Sequence, residues 1–343
     1  MNRALGLVGA VALVAMALCA PAAADVVDLS GVTLGAGRHL GFGQNGTVEG
    51  DIAADGNISI DRNGRVASAY AEGSVYFDQG ATVAGDVLGM GGINLNRNTS
   101  VGGSVLGNHG IWIDQNSSIV GDVSPGLGNS LSTGRNVSIG GSTDPAALDL
   151  TVGVGSLARP AHGAHGGQDI WAGRNSTTDL QVGAYKSVSL DRDTTLNLTG
   201  GEYTLKSFWM GRDSVVNVDT SAGDVVLNVL GGFSTDRNVQ FRTSGEGALR
   251  VNVFDGNLWL GNDAKLEGAV RVFGGDFGAG NDATLRGQFF ASRDIWLGSG
   301  ANVMHSMLVT SDGQAVPEPM TAAVLALGGA MLLWKRRRNV NSA

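Results

Sequence analysis

Residues 93–105 read INLNRNTSVGGSV, and residues 111–123 read IWIDQNSSIVGDV. In each, an apolar-x-apolar triplet (Ile93 to Leu95, Ile111 to Ile113) leads into a polar turn and then a lone apolar residue. Alternation with a period of two marks short strands rather than helices. Residues 58–67, ISIDRNGRVA, are a third clear copy. Working outward, further copies begin at Leu40, Val75, Val188, Leu258 and Ile295, with looser ones at Leu131, Ile170, Phe208, Phe233 and Phe277. Starts at 40, 58, 75, 93 and 111 give a period of 17 to 18, and later spacings widen to 20 and more, as loop insertions would produce.

No single copy can bury its apolar triplet. Coils stacked about 4.8 Å apart let each strand pair with its neighbours and merge the inward Ile, Val and Leu side chains into one core. The 55 glycines, the Asn-Gly, Gly-Asp and Gly-Gly pairs, and the confinement of body prolines to Pro125, Pro145 and Pro160 agree with strands joined by tight turns. The expectation is an all-β, parallel β-helix with coils of about 18 residues and three short sides. Residues 31–312 would hold about fifteen coils in a rod of roughly 70 Å. Ile113 and Leu95 should face inward and Gln115 should sit in a turn. A large Gly-rich antiparallel β-sandwich is the alternative. The V-x-G-D/S-V rhythm at 83–87 and 101–105 resembles that of the bactofilin-type right-handed β-helix. The resemblance covers Leu40 to Val123 and implies fold only.

The two ends read differently. Arg3, an apolar stretch from Ala4 to Ala20 and the small residues Ala22 to Ala24 form a signal peptide over residues 1–24, with cleavage expected between Ala24 and Asp25. Cys19 is the only cysteine, so the exported body has no disulfide, thiolate nucleophile or Cys-type metal site. Without Arg3, Lys335, Arg336, Arg337, Arg338 and Glu318, the body carries 23 − 5 = 18 basic and 31 − 1 = 30 acidic residues, a net charge of −12. That charge repels nucleic acid and anionic lipid.

At the far end, Val316-Pro317-Glu318-Pro319 precedes Met320 to Trp334, an uncharged run, and then Lys335-Arg336-Arg337-Arg338. A helix over 320–334 would be about 22 Å long, against a hydrocarbon core of about 30 Å that snorkelling of the basic cluster can help span. This order of parts resembles the PEP-CTERM sorting signal, the bacterial tail recognised and cut by membrane proteases called exosortases. The resemblance implies that Pro317, Glu318 and Pro319 are the recognition residues within the tail, residues 316–343. It also implies a basic cytoplasmic anchor at 335–338 and an exosortase and the secretion machinery as partners. The body, residues 25–315, would pass through the inner membrane to the cell surface or extracellular matrix.

Candidate chemistry inside the body is sparse. Residues 278–285, GAGNDATL, and 261–266, GNDAKL, echo a calcium-binding nonapeptide, making Asp263 and Asp282 calcium candidates. Against this, the echoes lie 19 residues apart and carry an extra residue before the leucine, so they fit the polar turn of the repeat better. His162 and His165, with Asp169, offer a metal pair in a Gly/Ala/Pro loop. Asp61-Arg62-Asn63, Asn96-Arg97-Asn98 and Asp191-Arg192-Asp193 would stack into polar ladders. A polysaccharide lyase or hydrolase would need a singular carboxylate cluster, whereas the acids here recur on every turn. An ice-binding solenoid would need regular T-x-T rows, which Thr47, Thr82 and Thr99 do not make. The reading that results is a non-catalytic, cofactor-free structural or adhesive protein of the surface or exopolysaccharide matrix. A polysaccharide-active enzyme and an ice- or calcium-binding solenoid are the alternatives.

Overall fold

A computed structural model describes residues 25–306. Each of the thirteen triplets found in the sequence lies in a strand, from Leu40–Phe42 through Ile111–Ile113 to Ile295–Leu297. Strands of successive coils pair in parallel, as in Ile93↔Ile111 and Phe277↔Ile295. The architecture is therefore a parallel β-solenoid, which sets aside the antiparallel sandwich. A representative coil places Val105–Gly107 on a first side, Ile111–Ile113 on a second and Ser118–Ile119 on a third. Val105, Ile111, Ile113 and Ile119 all point inward and are at most 1% exposed. Leu95 is likewise buried, and Gln115 lies in the turn.

The corner between the second and third sides is a left-handed residue. Eleven corners carry Asn or Asp at φ 55° to 61°, among them Asn63, Asn98 and Asn116. Gly80 (φ 76°) and Gly300 (φ 71°) fill the remaining two. Asn and Asp tolerate this region because their short side chains bond locally, and Gly because it lacks Cβ. Just past the corner, Thr99 and Ser117 turn inward and each donates its hydroxyl to the Asn96 carbonyl, at 2.6 and 3.2 Å.

Coil order along the rod is not chain order. Residues 32–139 start mid-rod and wind six coils to one end, with middle strands beginning at 40, 58, 75, 93, 111 and 131. Residues 140–169 leave the stack and run back along its flank. Residues 170–304 then wind seven coils from the opposite end toward the middle, with middle strands containing or beginning at 170, 188, 208, 233, 258, 277 and 295. The last coil stacks on the first, through Leu34↔Phe289, Leu40↔Ile295 and Val48↔Val303. Thirteen coils thus replace the expected fifteen, because residues 140–169 form none. The outermost rungs are about 58 Å apart at twelve spacings of about 4.8 Å. The wider spacings of the second arm reflect longer sides as well as turns, as in Gly201–Met210, which spans two sides in one strand.

The returning segment is held by burial and by a side-chain clamp. Leu148, Leu150, Val152 and Val154 pack with Val32, Ala53 and Phe290 on the first side, against Tyr70, Leu88 and Leu106. Leu148 N–H donates to Asn108 Oδ1 (2.7 Å) and Val152 N–H to Glu72 Oε1 (2.8 Å). Val154 and Gly155 N–H donate to the two carboxylate oxygens of Asp55, at 2.7 Å each. Leu150–Thr151 also pairs in parallel with Asp25–Val26. Among the described residues no helix is long and apolar enough to cross a membrane. The expected signal segment 1–24 and membrane helix 320–334 lie outside the described residues.

Candidate functional site: an aromatic ladder on the second side

The middle residue of each second-side triplet points outward, and parallel pairing stacks these residues into one file. From one end to the other it runs Ser132, Trp112, Asn94, Tyr76, Ser59 and Gly41, then across the seam Trp296, Gly278, Trp259, Ser234, Trp209, Ser189 and Trp171. Every tryptophan among the described residues is in this file. In the second arm tryptophan alternates strictly with Ser or Gly, and in the first Trp112 and Tyr76 are separated by Asn94 before Ser59 and Gly41 follow together. The rings are open to solvent, from 39% exposed at Trp112 to 73% at Trp171 in the end coil.

The small residues make room for the rings. A Cβ at Gly278 would lie 1.9 Å from Trp259 Cζ3, and one at Gly41 would lie 2.6 Å from Trp296 Cζ3. These indoles therefore lean along the sheet over the glycine of the next coil and leave an outer ring face open. In the other arm, Tyr76 and Trp112 border a shallow groove of about 530 Å³ floored by Asn94. Asn96 Nδ2 fixes Tyr76 by donating to its hydroxyl at 2.7 Å, and donates also to Asp78 Oδ1 at 3.0 Å. That amide bond, with the Gln79 N–H, holds the Asp78 carboxyl below the usual carboxylate value.

Polar rows border the ladder on both edges. At the corner edge Arg62, Arg97, Arg135, Arg174, Arg192, Arg212 and Arg237 share one place, immediately before the left-handed residue. The expected ladders form here: Asn63 Nδ2 donates to Asn45 Oδ1 (3.1 Å), and Arg97 Nε to Asp114 Oδ2 (3.2 Å). At the other edge Arg38 pairs with Asp294 at 2.8 Å and Lys186 with Asp169 at 2.9 Å. The Ser187 hydroxyl, then Lys186, hold the Asp169 carboxyl below its usual value.

The sequence-derived candidates fall elsewhere. Asp263 and Asp282 are successive left-handed corner residues, φ 57° and 56°, both exposed. They share a groove with Asp213, Arg237, Asn238 and Lys265. His162 packs on Phe254, ring centroids 4.1 Å apart, and His165 caps its own turn through Gly166. Asp169 is engaged by Lys186 and Ser187, away from that pair. No group of three or more His, Cys, Asp or Glu placed to hold a metal occurs among the described residues. Thr99 is buried, and Thr47 and Thr82 face outward on the third side with Arg65 between them. Asp25 opens the strand that flanks the returning segment. Ala24, Pro317, Glu318, Pro319, Lys335, Arg336, Arg337 and Arg338 lie outside the described residues.

The ladder itself is what the residue reading missed, although its signal is in the chain. Five of the triplets are IWI, IWA, FWM, LWL and IWL, each with tryptophan at the outward place.

No family model matches this chain, and no curated protein matches it. Among solved structures the chain is similar to an ice-binding protein from an Antarctic bacterium of the Flavobacteriaceae. The identity is 16%, the TM-score is 0.27, and the match covers 80% of this chain and 81% of that one. At that score neither residue roles nor a ligand carry over.

Proposed function

We propose that the chain is an exported, exosortase-processed, non-catalytic protein of the bacterial surface or matrix that holds extracellular polysaccharide along its aromatic ladder. One observation carries the reading: six exposed aromatic rings share one file on one side of a rigid rod. Six rings in line, each 39% to 73% exposed, leave apolar surface in water beyond what their packing on the sheet covers. Apolar C–H faces of sugars cover such rings while the sugar hydroxyls meet bordering Arg, Asp, Asn and Ser groups. Each contact is weak, and repetition along the rod raises avidity. The body charge of −12 favours a neutral polymer. Asp55, which burial pushes up, has both oxygens occupied by the Val154 and Gly155 N–H groups.

The experiment is co-sedimentation of the purified protein with the host's exopolysaccharide and with insoluble cellulose, chitin and starch, following release of reducing or unsaturated ends. Binding without release is expected, with at least tenfold weaker retention after Trp209→Ala and Trp259→Ala together. Retention on none of the polymers would overturn the glycan reading, and steady release of ends would overturn the non-catalytic one.

A further inference from the structure

The spacing of the rings points to a particular class of glycan, an inference that rests on the polysaccharide reading above. In the second arm, Trp171, Trp209, Trp259 and Trp296 are separated by Ser189, Ser234 and Gly278, one small residue each. Platforms therefore recur every two coils, about 9.6 Å apart. A bound polymer that uses them all must repeat with that period in a straight line. A peptide strand repeats its side chains every two residues, about 6.8 Å, and so falls out of step after one platform. A nucleic acid brings phosphates to a body of charge −12. Helical or flexible α-linked glucans do not hold successive sugars in a straight line. A β-1,4-linked chain of pyranoses does: each sugar advances it by close to one strand spacing. Successive sugars are turned over, so that every second one presents the same face.

We propose that the second-side ladder binds a neutral, extended β-1,4-linked polysaccharide lying parallel to the rod axis, with every second sugar seated on Trp171, Trp209, Trp259 or Trp296. Trp259 and Trp296, which lean over Gly278 and Gly41 of the next coil, present the flat face that the axial C–H groups of such a sugar require, while Trp171 at the end lies toward Gly173 of its own coil. The small residues between platforms leave space for the intervening, inverted sugar. Trp171 to Trp296 spans six coil steps, so the track seats about seven sugars. The seam ends it. From Trp296 to Tyr76 the file passes Gly41 and Ser59, three coils instead of two, which is half a repeat out of phase. Tyr76 and Trp112 therefore form a separate, shorter site.

The test is calorimetric titration of the protein with cello- and chito-oligosaccharides of two to eight sugars, with maltoheptaose for comparison. At least one β-1,4 series should gain affinity with length and level off near seven sugars, and should bind at least tenfold more tightly than maltoheptaose. A second test shifts one platform by one coil without changing the number of tryptophans, through Trp209→Ser combined with Ser189→Trp. This pair should weaken heptasaccharide binding at least tenfold, as much as Trp209→Ala does, with melting unchanged. Full binding by the shifted variant, or equal binding of maltoheptaose, would overturn the register while leaving polysaccharide binding in place. The length series decides the question even if the shifted variant fails to fold. Absence of binding to any polymer in the sedimentation experiment would instead remove the reading on which this one rests.

Discussion

The two arms of the rod reach the same exterior with different interiors. In the arm 32–139 the strands have two to five residues, and the inward residues are largely Val, Ile, Leu and Ala. In the arm 170–304 strands run to eight and ten residues, and the core takes on phenylalanines, with Phe208 and Phe233 stacked at 4.8 Å and Phe277 and Phe289 at 5.5 Å. Both arms nonetheless carry aromatic residues two coils apart on the outward file of the second side, Trp112 and Tyr76 in the first and four tryptophans in the second. Coil circumference and coil rise are separable. Circumference follows from how many residues each side holds and what fills the core. Rise is set by backbone hydrogen bonding between neighbouring coils, whatever they enclose. A rod built this way can change its core and still keep the outward residues of one side at a constant rise per coil.

The largest expected effect tests whether the arms share one core. Ile113 in the first arm and Val251 in the second are both fully buried. Ile113→Asp and Val251→Asp should each cost more than about 4 kcal/mol, because an unpaired carboxylate is forced into an apolar interior. Gln115→Asp in the turn should stay within about 0.5 kcal/mol. Thermal melts of the three variants check this, and similar losses at 113 and 115 would mean the inward register is wrong.

Next is the seam, where the comparison between the arms can be broken physically. Phe289 is fully buried and stacks above Leu34 of the first coil. Phe289→Ala should cost about 3–5 kcal/mol through lost burial and the cavity left behind. If the seam couples the arms, calorimetry should then show two transitions where the wild type shows one. One sharpened transition at a lower temperature would mean that the returning segment, not the seam, carries the coupling.

A smaller change addresses the exterior alone. Gly41→Ala places a methyl where the Trp296 indole lies, 2.6 Å from Cζ3. The ring can swing outward, so the expected stability loss is below about 1 kcal/mol. Quenching of Trp296 fluorescence by acrylamide should rise, measured against a Trp296→Phe background. Unchanged quenching would show that the ring does not rest over the glycine.

Much of this fold was legible because each coil carries its own local signal. Leu131, Ile170 and Phe277 begin weak copies of the triplet, yet all three are strands in register with the clear ones. What the residues could not show was stacking order. Every coil offers the same backbone edges above and below, so nothing local to Leu40 says that its second neighbour is Ile295. Chain order even misleads, since Trp112, Ser132 and Trp171 read as continuous alternation although Ser132 and Trp171 sit at opposite ends of the rod. The segment 140–169 looked like a plain Gly/Ala/Pro loop because its partners Asn108, Glu72 and Asp55 lie 40 to 100 residues away. The aromatic ladder was hidden for a simpler reason. Alternation reading attends to the inward residues of a triplet, and the tryptophans occupy the outward one.

The clamp on that returning segment gives the finest distinction between the arms, because the side chains that accept from its backbone, Asn108, Glu72 and Asp55, come from the first arm, whereas the second arm meets it through Asp255 and Phe254. Asp55 is caught between opposing influences. Burial, reinforced by the neighbouring Glu72 charge, pushes its carboxyl above the usual value, while the Gly155 and Val154 N–H bonds pull it down, and burial wins. A raised acid means the folded state keeps a proton at a pH where the unfolded chain has released it. As pH falls from neutral through the raised value, the fold therefore gains stability relative to the unfolded chain. The gain levels off below the ordinary carboxylate value, where both states are protonated. Asp55→Asn has no such titration and offers one acceptor oxygen to two N–H donors. At neutral pH the loss of a hydrogen bond, about 1 kcal/mol, is partly offset by removal of a desolvated charge. Toward pH 4 the offset vanishes for the wild type, so the gap between wild type and variant should widen with acid. Denaturant melts of both proteins across that range measure the gap directly, and subtraction cancels the other carboxylates except Glu72. A gap that narrows toward acid would mean that the two N–H bonds outweigh burial, making the strap a lock that acid weakens.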